Sequence, residues 1–307
     1  MKKKEKKHLL YNLFNPQGKD LEVPKEDLEG PENISKCFKI LGRNVTNLLT
    51  LNLFIIFGNF PLMFGLLALT GNLSSPTTAA SSSLFAPLFG VMKFDASPVT
   101  QALFGVHGIQ SSIYTPTVWT YVFLALSLLV LFTNGFVSVG VNYVLRSMVR
   151  RDPVSLWSDF WGAIKRNKKQ GLIMGALDVL IIGILFYDIY FFAINASAMM
   201  YVNLIILALY IIMRFYIYIL LITFDLNIWK ILKNSLIFTL LNFKRNITAL
   251  IGILLAAALT WILFIYFIPA GVILGITFLF SVSMYFGAYA AYPKIKEIMI
   301  DPQINNK

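Results

Sequence analysis

Residues Leu172–Ile194 read LIMGALDVLIIGILFYDIYFFAI, and residues Tyr201–Phe224 read YVNLIILALYIIMRFYIYILLITF. A helix needs about 20 mostly apolar residues to cross a bilayer, and both runs exceed that. Each run also holds a charge at depth, Asp178 in the first and Arg214 in the second. Charge there is costly and ordinarily marks a function or a partner. The short link between the runs makes them antiparallel neighbours. Asp178 lies roughly seven residues above the inner end of its run and Arg214 roughly ten, a depth difference of about 5 Å. A long arginine side chain covers that distance, so the pair is expected to be salt-bridged. One carboxylate beside a guanidinium that does not titrate is a poor proton pathway. A structural lock between two spans is therefore preferred over an ion relay.

The rest of the chain extends the same reading. Of 307 residues, 57% are hydrophobic and 13% charged, with mean hydropathy +0.71. Soluble domains carry about 45–50% apolar and about 25% charged residues, so a polytopic membrane protein is indicated. The net charge of +11 lies in short segments between apolar runs. Membrane topology explains it better than nucleic-acid binding, and no nucleic acid is expected as a partner. Six spans are predicted, at about 44–69, 116–145, 172–194, 201–224, 247–268 and 270–292. Spans five and six should meet in a tight turn at Ile268-Pro269-Ala270-Gly271.

Lys and Arg near span ends set orientation. Ten precede span one, seven separate spans two and three, four separate spans four and five, and three follow span six. That is 24 of the 26, against Lys93 alone on the other side and Arg214 within a span. Both termini are expected in the cytoplasm of a cell-membrane, multi-pass protein. The start, Met1-Lys2-Lys3-Lys4-Glu5-Lys6-Lys7, has no apolar core at signal-peptide distance and reads as a retained tail, residues 1–43. Residues 44–292 form the membrane domain and 293–307 a cytoplasmic tail.

Three Arg-Asn pairs stand before spans: Arg43-Asn44, Arg166-Asn167 and Arg245-Asn246. They suggest a repeated hairpin, although Arg and Asn are also common at inner interfaces. Two cytoplasmic amphipathic helices are predicted. The first, 152–166, opens on Asp152-Pro153, an N-cap followed by proline in the first turn. Trp157, Phe160 and Trp161 suit the inner interface. The second, 225–244, starts at Asp225 and carries Trp229. Either helix is a docking element or a membrane-surface stabiliser. The outer segment 70–115 is expected to fold as a cap, with Leu84, Phe85, Phe89 and Phe104 available to a partner or to the bundle top.

One cysteine, Cys37, excludes a disulfide framework and a cysteine zinc site. His8 and His107 neighbour no soft-metal ligand, so no metal and no cofactor is expected. No phosphate-cradling Gly-rich loop is present. No intramembrane base stands beside a Ser or Thr to make a nucleophile. Catalysis is not expected.

Several ordered motifs carry a resemblance. They are Tyr143-Val144-Leu145-Arg146, Trp157-Ser158-Asp159-Phe160-Trp161, the segment Ile164 to Gly171, Tyr216-Ile217-Tyr218, Thr223-Phe224-Asp225-Leu226 and the segment Lys230 to Ser235. Together they resemble the YesL family of bacterial integral membrane proteins, over about residues 34–298. The 70–115 insertion departs from shorter members and is similar to long forms in clostridia-like Gram-positive bacteria. The family has no assigned activity and supplies no catalytic residue. Its members are often encoded beside carbohydrate-uptake components, which implies ABC transporter permease subunits as a partner class.

The expected fold is all-α: a polytopic bundle of six transmembrane helices in three hairpins, with cytoplasmic interfacial helices and a folded outer loop. The expected function is a non-enzymatic membrane accessory protein of a bacterial carbohydrate ABC importer, whose other contact is the lipid bilayer. The alternatives are a stand-alone small-molecule transporter or channel past Asp178 and Arg214, and a membrane sensor or scaffold. Gly171, Gly175 and Gly183 are candidates for close helix contact.

Overall fold

A computed structural model describes residues 33–71, 73–80, 99 and 110–302. The chain is an all-α polytopic bundle whose described strands form one hairpin. It divides into two compact units, one of residues up to Asn59 and from Val130 onward, the other Phe60–Leu129. In the first unit the helices are α1 (Ile34–Arg43), α2 (Val45–Gly58), α5 (Val130–Arg150), α6 (Leu156–Arg166), α7 (Lys168–Asn195), α8 (Ser197–Thr223), α9 (Ile228–Leu241), α10 (Phe243–Tyr266), α11 (Ile268–Leu274) and α12 (Phe280–Ile295). A π-helical segment, Gly275–Leu279, joins α11 to α12. The second unit holds α3 (Pro61–Leu69), β1 (Ser74–Ala80), β2 (Gln110–Pro116) and α4 (Val118–Ser127).

Five helical runs among the described residues are long and apolar enough to cross a membrane: Val118–Arg150, Lys168–Asn195, Ala198–Thr223, Phe243–Tyr266 and Ile268–Ile300. The pair α1 and α2 would make a sixth, but it is bent by 78°. Span one therefore differs from the expected 44–69. Helix α2 stops at Gly58 after 14 residues, about 21 Å. The amide N–H and the side-chain Nδ2 of Asn59 both donate to the Ile55 carbonyl at 3.0 Å and close its end. Pro61, which has no N–H to continue the ladder, opens α3.

Each short amphipathic helix meets a longer helix at one asparagine. Asn44, Asn167 and Asn242 take nearly the same backbone conformation, with φ of −109°, −111° and −105° and ψ of 19°, 19° and 32°. The side chains of Asn44 and Asn167 donate to the carbonyls four residues back, Ile40 at 2.9 Å and Ala163 at 3.0 Å. Helix-end carbonyls, which lack intrahelical donors, are thereby satisfied. The Arg-Asn repeat holds for the first two hinges and shifts at the third. The hinge is Asn242, whose Nδ2 reaches Ala290 O and Tyr216 Oη, both at 2.9 Å. Asn246 lies one turn later, buried inside α10. Sequence spacing alone does not choose between two asparagines one helical turn apart; the bonds to α8 and α12 do.

Other boundaries move for local reasons. Helix α6 begins after Ser155, not Asp152: Asp159 accepts the Ser155 N–H at 2.8 Å, while Asp152 pairs with Arg150 at 3.0 Å. Arg151 takes φ 65°, and bonds from Arg151 N to Met148 O and Asp152 N to Ser147 O, both 3.0 Å, terminate α5. That is the left-handed helix stop usually given to glycine. Helix α9 begins after Asn227 rather than at Asp225. The turn between spans five and six is Phe267 alone, and Pro269 sits in the first turn of α11. A Cβ on Gly271 would run into the Phe264 backbone, so the close approach there needs glycine.

Helices α5 and α7 pack glycine against glycine. A Cβ on Gly135 would strike the Gly171 carbonyl, and one on Gly175 would strike the Gly135 backbone. Small residues let backbones approach where no hydrophobic force drives helices together. Gly183 has nothing nearby and takes no part. Buried Asn52 on α2 serves the π-helical segment: its Nδ2 donates to Ile276 O, and its Oδ1 accepts the Ser281 N–H at 2.8 Å. An inserted side chain replaces a backbone bond that the π-helical geometry opens.

In the second unit β1 and β2 pair antiparallel from Ser74↔Pro116 to Ala80↔Gln110. Thr117 and Thr120 hydroxyls both donate to Leu73 O. Phe64 of α3 meets Phe123 of α4 edge-on at 5.5 Å. The hairpin was not anticipated, because its strands are Ser-, Thr- and Ala-rich rather than apolar. The expected cap residues Leu84, Phe85, Phe89 and Phe104 lie outside the described residues.

Candidate functional site

Tyr210, Arg214 and Tyr218 recur every four residues along α8, so they share one face of that helix. That face meets α7 at Asp178, whose side chain is completely buried. Asp178 Oδ2 lies 2.9 Å from Arg214 Nη2 and accepts from Tyr218 Oη at 2.9 Å and Asn134 Nδ2 at 3.2 Å. Its Oδ1 accepts from Tyr210 Oη at 2.9 Å. A carboxylate offers about four lone-pair sites, and four donors from two helices, α5 and α8, converge on this one, three at Oδ2 and one at Oδ1. A proton carrier needs an acceptor that a mobile proton can reach; the Asp178 carboxylate is fully buried behind its four donors.

Arg214 is not closed off in the same way. Its side chain is 32% accessible, and it lines a cavity of about 250 Å³. At about 30 Å³ per liquid water, that space equals about eight waters. Asn59, Asn134, Ser138, Asn142 and Ser283 supply the other polar lining, and Ile55, Phe215 and Phe280 part of the apolar side. Two buried atoms at its wall have no hydrogen-bond partner: Arg214 Nε, a donor, and Asn59 Oδ1, an acceptor. Buried polar atoms are ordinarily satisfied, so the cavity suits a guest that both donates and accepts.

The motif residues do structural work around this site. Arg146, buried, donates from Nη1 to Ile222 O at 3.2 Å and Thr223 Oγ1 at 3.0 Å. A cation there complements the negative end of α8. The guanidinium groups of Arg146 and Arg166 lie 4.7 and 4.9 Å from the centroid of the Tyr143 ring. Gln170 Nε2 holds Leu226 O at 3.1 Å. Tyr216 donates to Asn246 Oδ1 at 2.7 Å.

The interfacial quartet divides. Trp157, Trp161 and Trp229 are exposed, whereas Phe160 is buried. Its ring occupies the space a Cβ on Gly140 would need and lies 4.7 Å from Phe54. Phe160 is thus an anchor that seats α6 on α5 and α2, leaving the tryptophans outward. Among the described residues no three His, Cys, Asp or Glu side chains gather at metal-binding range.

Residues 114–189 match the family model described as "Protein of unknown function, DUF624". The matched quarter of the chain runs from β2 through most of α7, and includes Asn134, Arg146 and Asp178. No curated protein and no solved structure matches the chain.

Sequence reasoning named Asp178 and Arg214, and the structure brings them together. It missed Tyr210, Tyr218 and Asn134 as partners. The four-residue spacing on α8 was a usable signal for the tyrosines. Asn134 comes from a different span and carries no local signal.

Proposed function

We propose that this chain is a YesL-type, non-enzymatic accessory protein of the bacterial cell membrane, with both termini cytoplasmic. It works beside the permease subunits of a carbohydrate ABC importer. The observation that carries the non-enzymatic part is the complete burial of Asp178 behind four donors, which leaves the most conspicuous buried charge as a helix lock. The family match supports the YesL-type part, since YesL proteins belong to that family; the importer role follows from the motif resemblance alone, and the exposed tryptophans of α6 and α9 offer docking faces. The test is gentle detergent extraction from cells growing on a carbohydrate taken up by such an importer, followed by mass spectrometry of co-purifying proteins. Permease subunits are the expected finding. Their consistent absence would sink the proposal.

A second reading is a small-molecule transporter, favoured by the cavity at Arg214. Proteoliposomes challenged with glycerol or D-glucose in stopped-flow light scattering separate the two. Swelling no faster than in protein-free vesicles is expected of an accessory protein. Faster swelling that R214M abolishes would replace the first reading with the second.

A further inference from the structure

A groove of about 320 Å³ runs between α1, α10 and α12. One end holds Arg245, the third residue of α10, and no Asp or Glu lines the groove. Arg245 Nη2 donates to Tyr289 O at 3.3 Å, and no acidic partner faces it among the described residues. Down the groove from Arg245 the α10 side offers Thr248, then Gly252, then Leu255, with Phe286 of α12 opposite. Polarity therefore falls steadily from one end to the other.

The dimensions fit one leaflet. From Arg245 to Leu255 is ten residues, about 15 Å of helix rise. That is half of the roughly 30 Å hydrocarbon core. The cation stands at the end of a membrane-length helix, at headgroup level, and the apolar part reaches the midplane. The groove is also built rather than incidental. Tyr289 Oη donates to Asn33 O at 2.8 Å and Tyr285 Oη to Cys37 O at 2.9 Å, strapping α1 across α12. Gly252 leaves the floor low, since a Cβ there would already contact Phe286 at 3.4 Å.

We propose that this groove is a binding site for one anionic glycerophospholipid, its phosphate on Arg245 and an acyl chain over Gly252 and Leu255. The charge complementarity selects the anionic headgroup, and continuity with the lipid-facing surface selects a lipid over a soluble ligand. The site stands independently of the accessory reading.

Native mass spectrometry of the intact detergent-solubilised protein tests it, using phosphatidylglycerol and phosphatidylcholine with identical chains. One phosphatidylglycerol should be retained in preference to phosphatidylcholine. R245Q should weaken that retention about fivefold, the worth of one cation near an anionic surface. R245K should keep it, and so should K244Q, which alters an exposed neighbour. G252L should fill the floor and lower retention of both lipids, while G252A should not. Displacement of the lipid by inorganic phosphate alone would reduce the site to a phosphate site and overturn the acyl assignment. Equal retention of both lipids, or no effect of either R245Q or G252L, would also overturn it. Loss of a co-purifying protein, with lipid retained, on R245Q would assign the groove to an acidic protein segment instead.

Discussion

Asp178 and Arg214 are joined at 2.9 Å, yet only Asp178 is sealed from the neighbouring cavity. The carboxylate is buried behind its four donors, while the guanidinium spends one nitrogen on it and turns its Nε edge elsewhere. Removing either partner leaves a charge without compensation, which typically costs about 3–5 kcal/mol for a buried pair. D178L and R214M should each lower the melting temperature in detergent sharply. The D178L/R214M double variant should lose less than the sum of the two single losses, with a remainder from Tyr210, Tyr218 and Asn134, which lose their acceptor. Equal, additive losses in that cycle would show that the two do not act as a pair.

The two tyrosines make unequal demands on the same carboxylate. Tyr218 shares Oδ2 with Arg214 and Asn134, whereas Tyr210 is the sole donor to Oδ1. Hydrogen bonds to a charged group contribute about 1.5–3 kcal/mol. Y210F should therefore cost at least as much as Y218F, because no second donor covers its oxygen. Thermal unfolding of the two single variants decides it; a clearly greater loss from Y218F would contradict the assignment.

Asn52 holds together a π-helical segment that the sequence of span six does not announce. N52L leaves Ile276 O and Ser281 N without partners, each costing about 1–3 kcal/mol when buried. Hydrogen exchange should show Ser281 N–H losing protection first, with the rest of α12 little changed. Unaltered exchange at Ser281 would mean the amide is satisfied some other way.

Glycines in α7 separate into contact and bystander positions. G175A drives a methyl into the Gly135 backbone and should prevent stable folding or shift α7 off α5. G183A meets open space and should be neutral, or stabilising by up to about 1 kcal/mol through helix propensity. Expression yield and monodispersity in detergent give the readout. Equal behaviour of the two variants would remove the glycine contact from the packing scheme.

Membrane class and five of the six expected spans were legible in the sequence because bilayer thickness imposes a run length that composition displays directly. The depth match of Asp178 and Arg214 was legible for a similar reason, since helical rise converts sequence position into height. The boundaries were less legible. Span one was read through Asn59 and Phe60, because hydropathy does not register that Pro61 interrupts the ladder. The third Arg-Asn pair, Arg245-Asn246, does not mark the helix junction, which falls one turn earlier at Asn242, because spacing alone does not separate two asparagines four residues apart.

Phe160 shows the same limit from the other side. It shares an aromatic cluster with Trp157 and Trp161, so periodicity groups the three, yet Gly140 on a different helix opens the space that buries Phe160 alone. The amino-acid sequence by itself determined that this chain crosses a membrane several times and carries one cation–carboxylate pair at matching depth. Those properties follow from local length, polarity and rise. Only the tertiary structure decided that Tyr210, Tyr218 and Asn134 complete the Asp178 site, that Arg214 borders a cavity, and that Asn52 mends the π-helical segment. Each of these joins residues from different helices, and their meeting depends on how backbones cross in three dimensions, which no single segment encodes.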